Sequence, residues 1–186
     1  VGILGEIPSH KQDTNMLVAE GDTSQVNEAF RMLRTNLMLT LGVDNKVVVC
    51  TSTVPGEGKT FVAMNLAASL ALLNKRVLLM GMDLRLPRLK EYMNIKDKND
   101  GLTNYLSGFV ADWRELVINV GYNGNLNMIH SGHIPPNPAE LLSREKLDEL
   151  MAELRKEYDY IIIDSAPVSL VTDTLIINRV ADANIY

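Results

Sequence analysis

The residues best suited to chemistry lie in one glycine-containing segment, Ser52 to Thr60, which reads Ser-Thr-Val-Pro-Gly-Glu-Gly-Lys-Thr. Glycines let consecutive backbone N–H groups turn inward around phosphate oxygens, and a following helix adds the positive end of its dipole. The pattern predicts a phosphate-binding loop in which Lys59 reaches the β- and γ-phosphates of a nucleotide and Thr60 binds Mg²⁺. The expected nucleotide-binding residues are Val54, Pro55, Gly56, Glu57, Gly58, Lys59, Thr60 and Phe61.

The alternative is an ordinary glycine turn that happens to precede Lys-Thr. The strict loop pattern has a glycine where this chain has Thr53, which weakens the match. The flanking sequence favours the loop. Val47–Cys50 is a short run rich in β-branched residues, typical of a buried strand, and Lys59–Leu73 is apolar on nearly all sides, typical of a buried helix.

Two acidic residues follow other apolar runs. Asp164 comes directly after Tyr160–Ile163, and Asp83 closes the stretch that begins at Val77. In an open parallel sheet, ligands bind at the carboxyl ends of the strands. We therefore expect Thr60, Asp83 and Asp164 to hold a magnesium ion that accompanies the nucleotide. The alternatives are a helix cap or turn residue for Asp164 and a plain surface turn for Asp83.

These side chains need a sheet whose strands end together. The strand–helix–strand pattern from Val47 to Met80 is a βαβ unit, which implies parallel strands and a right-handed crossover. An amphipathic helix precedes it, because Val26, Phe30, Leu33 and Leu37 recur at helical spacing. The predicted fold class is α/β, with a mainly parallel sheet flanked by helices on both faces.

The rest of the chain predicts further elements. We expect helices over Leu102–Ser107 and Asp112–Val120, over a segment capped by Ser143 that ends near Glu157, and over Asp173–Arg179. We expect strands over Leu126–His130, over Asn184–Tyr186 and, more weakly, within Val1–Pro8.

Composition excludes several classes of protein. The chain has 186 residues, 46% of them hydrophobic and 22% charged, as in an ordinary globular domain. Its net charge of -5 argues against nucleic-acid binding through a basic surface. Cys50 is the single cysteine, which excludes a disulfide framework. No apolar run approaches the ~18 residues of a membrane span. No signal peptide is visible. Because the chain opens on Val1 and not on an initiator methionine, we expect a piece of something longer.

Together, the motifs resemble the bacterial tyrosine kinases (BY-kinases), which are relatives of MinD/ParA-type P-loop ATPases. The resemblance covers essentially the whole chain. It is carried by Pro-Gly-Glu-Gly-Lys-Thr at 55–60, Asp-Leu-Arg-Leu-Pro-Arg at 83–88, Asp-Gly-Leu at 100–102, Pro-Pro-Asn-Pro-Ala-Glu-Leu-Leu at 135–142 and Ile-Ile-Ile-Asp-Ser-Ala-Pro-Val at 161–168. Gly5-Glu6-Ile7-Pro8 is similar to the stretch that follows the second membrane helix in members fused to a membrane adaptor.

The resemblance implies an ATP-dependent protein tyrosine kinase that uses ATP/ADP and Mg²⁺ and phosphorylates tail tyrosines of a neighbouring subunit. Lys59 would stabilise the γ-phosphoryl charge, and Asp83 would orient or deprotonate the attacking hydroxyl. The implied role is control of capsular or exopolysaccharide synthesis and export. The implied location is the cytoplasmic face of the bacterial inner membrane.

The same resemblance implies partners. They are its own membrane adaptor region, in the same chain or in a separate subunit, a tyrosine phosphatase and polysaccharide export proteins; no nucleic acid is expected. Glu28, Arg31 and Arg34 match a Glu-x-x-Arg-x-x-Arg motif that mediates assembly of a homo-oligomeric ring. On a helix these side chains lie beside the apolar stripe, so we expect them to be exposed. The alternative reading is an ordinary solvated ion pair.

The resemblance also divides the chain. Residues 1–22 would be a lead-in from the preceding membrane adaptor region. Residues 23–186 would be the kinase domain, without its C-terminal part and tyrosine tail.

Two departures leave other functions open. The family carries an acid where this chain has Gly81, which keeps open a nucleotide-binding assembly scaffold with weak kinase activity. A MinD/ParA-like positioning ATPase is the second alternative. Those proteins have a signature lysine where this chain has Val54, and the difference argues against that function.

Overall fold

The computed structural model describes residues 2–9, 15–96, 99–169 and 172–186. Its centre is a six-stranded sheet in the order β3-β4-β2-β5-β1-β6. All neighbouring strands are parallel except β3 and β4. This confirms the predicted α/β fold with a mainly parallel sheet. The strands are β1 (Val47–Cys50), β2 (Val77–Gly81), β3 (Ile118–Gly121), β4 (Leu126–Ile129), β5 (Tyr160–Asp164) and β6 (Ala183–Ile185).

The register brings the ends of three strands together. Asp164 at the end of β5 stands opposite Cys50 of β1 on one side and opposite Gly81 of β2 on the other. The loops that follow β1, β2 and β5 therefore leave the same edge of the sheet. That edge is where an open parallel sheet binds its ligands.

Helices cover both faces because the central strands are apolar on both sides. Val48, Cys50 and Ile162 pack into one core with α1 (Gln25–Leu41) and α2 (Lys59–Ala71). Alternate strand residues such as Val49 and Ile163 pack into a second core on the other face. The helices that contribute to this second core are α4 (Leu102–Leu106), α5 (Pro138–Leu142), α6 (Glu145–Glu157) and α7 (Asp173–Ile177). A further short helix, α3 (Leu89–Tyr92), follows β2.

The helix expected over Asp112–Val120 is wrong for most of its length. Only a short 3-10 helix, Trp113–Leu116, forms there, and the chain then continues as β3. The residues that follow the 3-10 helix include the β-branched Val117, Ile118 and Val120, which favour a strand. A turn with left-handed backbone at Tyr122 and Asn123 then reverses the chain into β4, so this pair is antiparallel.

Two smaller expectations are also corrected. Ser143 does not cap α6: it ends α5 and donates its hydroxyl to the Ala139 carbonyl, and Arg144 holds the cap position of α6. No strand forms over residues 2–9, and Val1 lies outside the described residues. Among the described helices, none has the length and apolar character required to cross a membrane.

Candidate nucleotide-binding and catalytic site

The loop between β1 and α2 has the backbone shape of a phosphate-binding loop. Gly56 and Gly58 both adopt left-handed backbone conformations, with φ of 90° and 91°. Glycine takes this conformation without steric cost, and other residues rarely adopt it. α2 begins at Lys59, immediately after the second of these glycines. The N-terminus of a buried helix is thus aimed at the edge of the sheet where the three strands end.

Lys59 stands between the two predicted carboxylates. Its Nζ lies 3.5 Å from Asp83 Oδ2 and 3.5 Å from Asp164 Oδ1. All three side chains are largely buried. The Thr60 hydroxyl donates to Asp164, with its Oγ1 2.9 Å from Oδ2 and 3.1 Å from Oδ1. The structure therefore brings together all four residues predicted for catalysis and metal binding.

Burial disfavours the charged form of the Asp164 carboxyl. Burial raises its pKa to about 6, and the Lys59 ammonium and the Thr60 hydroxyl lower it only in part. Asp83 nearby adds a smaller raising effect. A divalent cation beside Asp164 would favour its charged form, and carboxylate and hydroxyl oxygens are the donors that Mg²⁺ prefers. The donor set therefore fits magnesium, with nucleotide phosphates and water completing its shell.

Asp83 is held by its own turn. Its Oδ1 accepts the backbone N–H groups of Arg85 at 3.3 Å and Leu86 at 3.0 Å, while Oδ2 faces Lys59. Arg85 in turn makes a two-pronged ion pair with the fully buried Asp173 of α7, at 2.8 and 3.0 Å. Asp83 is thus both a turn residue and a member of the site. The turn fixes where its carboxylate points.

Glu57 is hydrogen-bonded to the backbone at the start of the loop. Its Oε2 accepts the backbone N–H groups of Thr53 at 2.7 Å and Val54 at 3.1 Å. Neither Glu57 nor Val54 lines the cavity described below, although both were among the predicted nucleotide-binding residues. Glu57 instead holds the loop backbone in place through these two hydrogen bonds. One of them is to Thr53, where the strict pattern has glycine.

A cavity of about 500 Å³ opens at this edge of the sheet. Of the predicted nucleotide and metal residues, it is lined by Pro55, Gly56, Gly58, Lys59, Thr60, Phe61 and Asp83. Sequence reasoning missed five lining residues, Asn15, Leu86, Arg88, Tyr92 and Pro167. Arg88 and Tyr92 had one available signal, which was their place shortly after Asp83. Nothing local in the sequence marks Asn15, because only the tertiary fold brings it to the cavity.

Gly81 is closely packed. A Cβ at this position would lie 3.0 Å from Ser131 Oγ and 3.3 Å from both the Ser131 nitrogen and Leu89 Cδ2. The Ser131 hydroxyl donates to the carbonyl oxygens of Gly81 and Asp83. An acid at position 81 would therefore require Ser131 to move, and glycine suits the packing of this chain.

The motif on α1 lies away from this cavity. Glu28 is exposed and pairs with Arg31, which also donates to the Asp22 carbonyl. A larger open groove of about 800 Å³ between α1 and the lead-in includes Glu28 and Arg31. The expectation that all three motif residues are exposed is wrong for Arg31, which is half-buried, and more clearly for Arg34. Arg34 is half-buried, and its Nη1 donates to the Ser69 carbonyl of α2 at 2.7 Å, since the side chain bridges two packed helices.

Comparison with known proteins adds sequence relatives. Residues 45–185 match the family described as AAA domain. The chain is 37% identical over 161 residues to the tyrosine-protein kinase CpsD of Streptococcus pneumoniae, covering 87% of this chain and 70% of CpsD. It is 36% identical over 178 residues to the putative tyrosine-protein kinase EpsB of Ralstonia nicotianae, covering 95% of this chain but only 23% of EpsB.

Solved structures share the fold. The chimerical protein CapA2B2 superposes with a TM-score of 0.91 at 31% identity, over 100% of this chain and 79% of that one. The kinase domain of the Escherichia coli tyrosine kinase ETK gives 0.85 at 29% identity, over 95% and 69%. The septum site-determining protein MinD of Pyrococcus horikoshii gives 0.63 at 24% identity, over 75% and 56%, which shows a common fold.

Proposed function

From the premise that this chain belongs to the bacterial tyrosine kinases, within the AAA-domain P-loop ATPases, we propose that it transfers the γ-phosphoryl group of ATP to protein tyrosines. The acceptors would be tyrosines of neighbouring subunits, and the transfer would regulate capsular or exopolysaccharide synthesis and export. The observation that carries the proposal is Lys59 placed between Asp83 and Asp164 at the head of a phosphate-binding loop.

The chain's own residues supply binding and proton transfer. The backbone N–H groups around Gly56 and Gly58 would hold the phosphates, and Lys59 would leave its two carboxylates to contact the γ-phosphoryl group. Asp83 would accept the proton of the tyrosine hydroxyl as the tyrosine oxygen bonds to phosphorus. The bond from phosphorus to the ADP oxygen breaks, and ADP leaves with the electron pair.

Magnesium would be held by Thr60, Asp164 and Asp83 together with nucleotide oxygens. When bound, it neutralises phosphate charge during transfer. The buried carboxyl of Asp164, whose pKa is raised in the protein alone, supports this assignment.

The partners belong to the same proposal. The chain spans about a quarter of the length of relatives such as EpsB, and the activity and partners of the whole protein are therefore part of this proposal. We assign residues 1–22 to a lead-in from a membrane adaptor region and residues 23–186 to the kinase domain. The Asn65 side chain of α2 accepts the backbone N–H groups of Leu17 and Val18, so the end of this lead-in is hydrogen-bonded to the helix of the phosphate-binding loop.

The remaining interactions follow from family membership. The protein would act at the cytoplasmic face of the inner membrane and assemble as a ring through Glu28, Arg31 and Arg34. A tyrosine phosphatase and polysaccharide export proteins would be its other partners. A weakly phosphorylating assembly scaffold is the second candidate, and the close packing around Gly81, which lacks the family's acid, favours it.

The test is phosphotyrosine formation by the full-length protein with ATP and Mg²⁺. Lys59→Met should remove the signal, because it deletes the charge nearest the transferred group while leaving a side chain of similar length. Lys156→Met is the matched control, since Lys156 lies exposed on α6 outside the cavity. Wild-type phosphotyrosine in Lys59→Met would contradict the proposal, as would its absence from the wild-type protein.

A further inference from the structure

The site described above has little positive charge for its task. Lys59 lies between two carboxylates, so part of its charge is already offset. A triphosphate carries more negative charge than one such lysine and the proposed Mg²⁺ neutralise together. In phosphoryl transfer the charge spreads over the oxygens of the moving group, and enzymes commonly place an additional cation there. This charge balance favours a second positive side chain in the site.

Arg88 occupies the right place. Among the residues that the structure describes, Lys59 and Arg88 are the cationic side chains that line the 500 Å³ cavity. Arg88 is five residues beyond Asp83, at the start of α3, and its side chain is exposed. It shares the cavity wall with Asp83 and Tyr92.

The guanidinium of Arg88 is uncommitted. Across residues 2–9, 15–96, 99–169 and 172–186, it makes no hydrogen bond or ion pair. Arg85, three residues earlier, is the contrast, because both prongs of its guanidinium are engaged by Asp173. A guanidinium without a carboxylate partner at the wall of a phosphate cavity is ready to bind phosphate oxygens in a two-pronged manner.

The backbone that carries Arg88 is fixed while its side chain is not. The Arg88 carbonyl accepts the N–H of Tyr92 at 2.9 Å, and the adjacent Leu89 is buried in the core. Upstream, the Asp83 carboxylate holds the turn at Arg85 and Leu86. The same turn therefore positions the carboxylate of Asp83 and the backbone of Arg88, so the arginine side chain starts from a defined point on the cavity wall.

We propose that Arg88 contacts the terminal phosphate of bound ATP and stabilises the charge of the transferred phosphoryl group, from within the same chain. The inference rests on the proposed kinase function and adds a catalytic residue to it. Because ADP lacks the γ-phosphate, Arg88 should distinguish the two nucleotides. Lys59 and the loop would hold the phosphates that ADP and ATP share.

The experiment compares Arg88→Ala and Arg88→Lys with wild type and with Lys156→Ala, which removes an exposed charge outside the cavity. Binding of Mg²⁺ with ADP and with the non-hydrolysable analogue AMPPNP is measured by calorimetry on each folded variant. We expect Arg88→Ala to weaken AMPPNP binding about tenfold and ADP binding less than threefold. Its phosphotyrosine rate at saturating ATP should fall by about 10²-fold or more. Arg88→Lys should recover part of both losses.

Other results would overturn the inference. Equal weakening of ADP and AMPPNP would mean that Arg88 supports the pocket generally, and unchanged AMPPNP binding with an unchanged rate would mean that it has no role there. The phosphotyrosine rate is also measured with an added tyrosine-containing peptide. A slower rate with unchanged AMPPNP binding and a raised KM for that peptide would mean that Arg88 binds the phosphoryl acceptor. If wild type forms no phosphotyrosine, the kinase proposal fails, but the AMPPNP-to-ADP affinity ratio still tests Arg88 separately.

Discussion

The Asp164 carboxyl, which we propose as a magnesium ligand, lowers the stability of the nucleotide-free protein. Its pKa is raised from 3.8 to about 6, chiefly by burial. A raised carboxyl pKa means that the folded state holds its proton more tightly than the unfolded state. Folding is therefore penalised as the pH rises from about 4 to about 6, and the full penalty remains at pH 7.

We accordingly predict that Asp164→Asn stabilises the nucleotide-free protein at pH 7 by about 1–3 kcal/mol. The amide oxygen can still accept from Thr60, but the buried negative charge of Asp164 is gone. Thermal or urea unfolding at pH 4.5 and 7 measures the effect, and the gain should shrink at the lower pH. The same variant should lose most of the Mg²⁺ dependence of ADP binding. A gain in stability over wild type that is no larger at pH 7 than at pH 4.5 would contradict the burial argument.

Asp83 has a different role, and the prediction for it concerns rate. Asp83→Asn keeps an oxygen that can accept from the backbone of Arg85 and Leu86, so the turn should survive. It removes the carboxylate that we propose as the acceptor of the proton from the attacking hydroxyl. We expect the phosphotyrosine rate to fall by about 10²–10⁴-fold with nearly unchanged stability. A rate equal to that of wild type would reduce Asp83 to a turn residue.

At the scale of the element, the phosphate-binding loop depends on Glu57. An acid beside phosphates is unfavourable unless it is engaged, and here its carboxylate is engaged by two backbone N–H groups. We predict that Glu57→Ala weakens ADP binding about tenfold, because the loop entrance loses two hydrogen bonds. Glu57→Gln is the matched control, since its amide oxygen can accept the same pair. Calorimetry with Mg²⁺ and ADP decides, and an Ala variant that binds like wild type would exclude the positioning role.

At the scale of the whole molecule, the α1 motif divides into two kinds of residue. Arg34 joins α1 to α2 within one domain, and Glu28 faces the solvent-exposed groove. We predict that Arg34→Ala lowers the stability of the isolated domain by about 1 kcal/mol, through loss of the hydrogen bond to Ser69. Thermal unfolding of the monomer measures this.

Glu28→Arg should instead reduce assembly and leave the unfolding temperature unchanged, because the change reverses an exposed charge. Light scattering of the full-length protein, in conditions where wild type is oligomeric, provides the test. Glu149→Arg on the exposed side of α6 controls for the change in net charge. A Glu28→Arg protein with the mass of wild type would argue against an assembly role for this helix.

Local sequence patterns predict those parts of this protein whose signals lie within a few neighbouring residues. The β-branched run at Val47–Cys50, the glycines before Lys59 and the acid after Tyr160–Ile163 each predict their element without reference to the rest of the chain. Together they predicted the parallel sheet, the loop and the meeting of Lys59, Asp83 and Asp164, because parallel strands end at a common edge. Where local signals competed, as between helix and strand near Val120, the prediction failed.

The lining of the cavity, the burial of side chains and their pKa values depend on contacts between distant segments, so the fold is needed to see them. Asn15 reaches the cavity because the chain folds past it, and no local pattern records that approach. Arg88 belongs to the motif at 83–88, but only the fold shows that it lines the cavity. Burial of Arg34 depends on how closely α1 packs on α2, and crowding at Gly81 depends on Ser131, fifty residues away. The raised pKa of Asp164 likewise arises from the surroundings that the fold provides. Local sequence patterns specify which groups are available, whereas packing decides their depth, partners and charge.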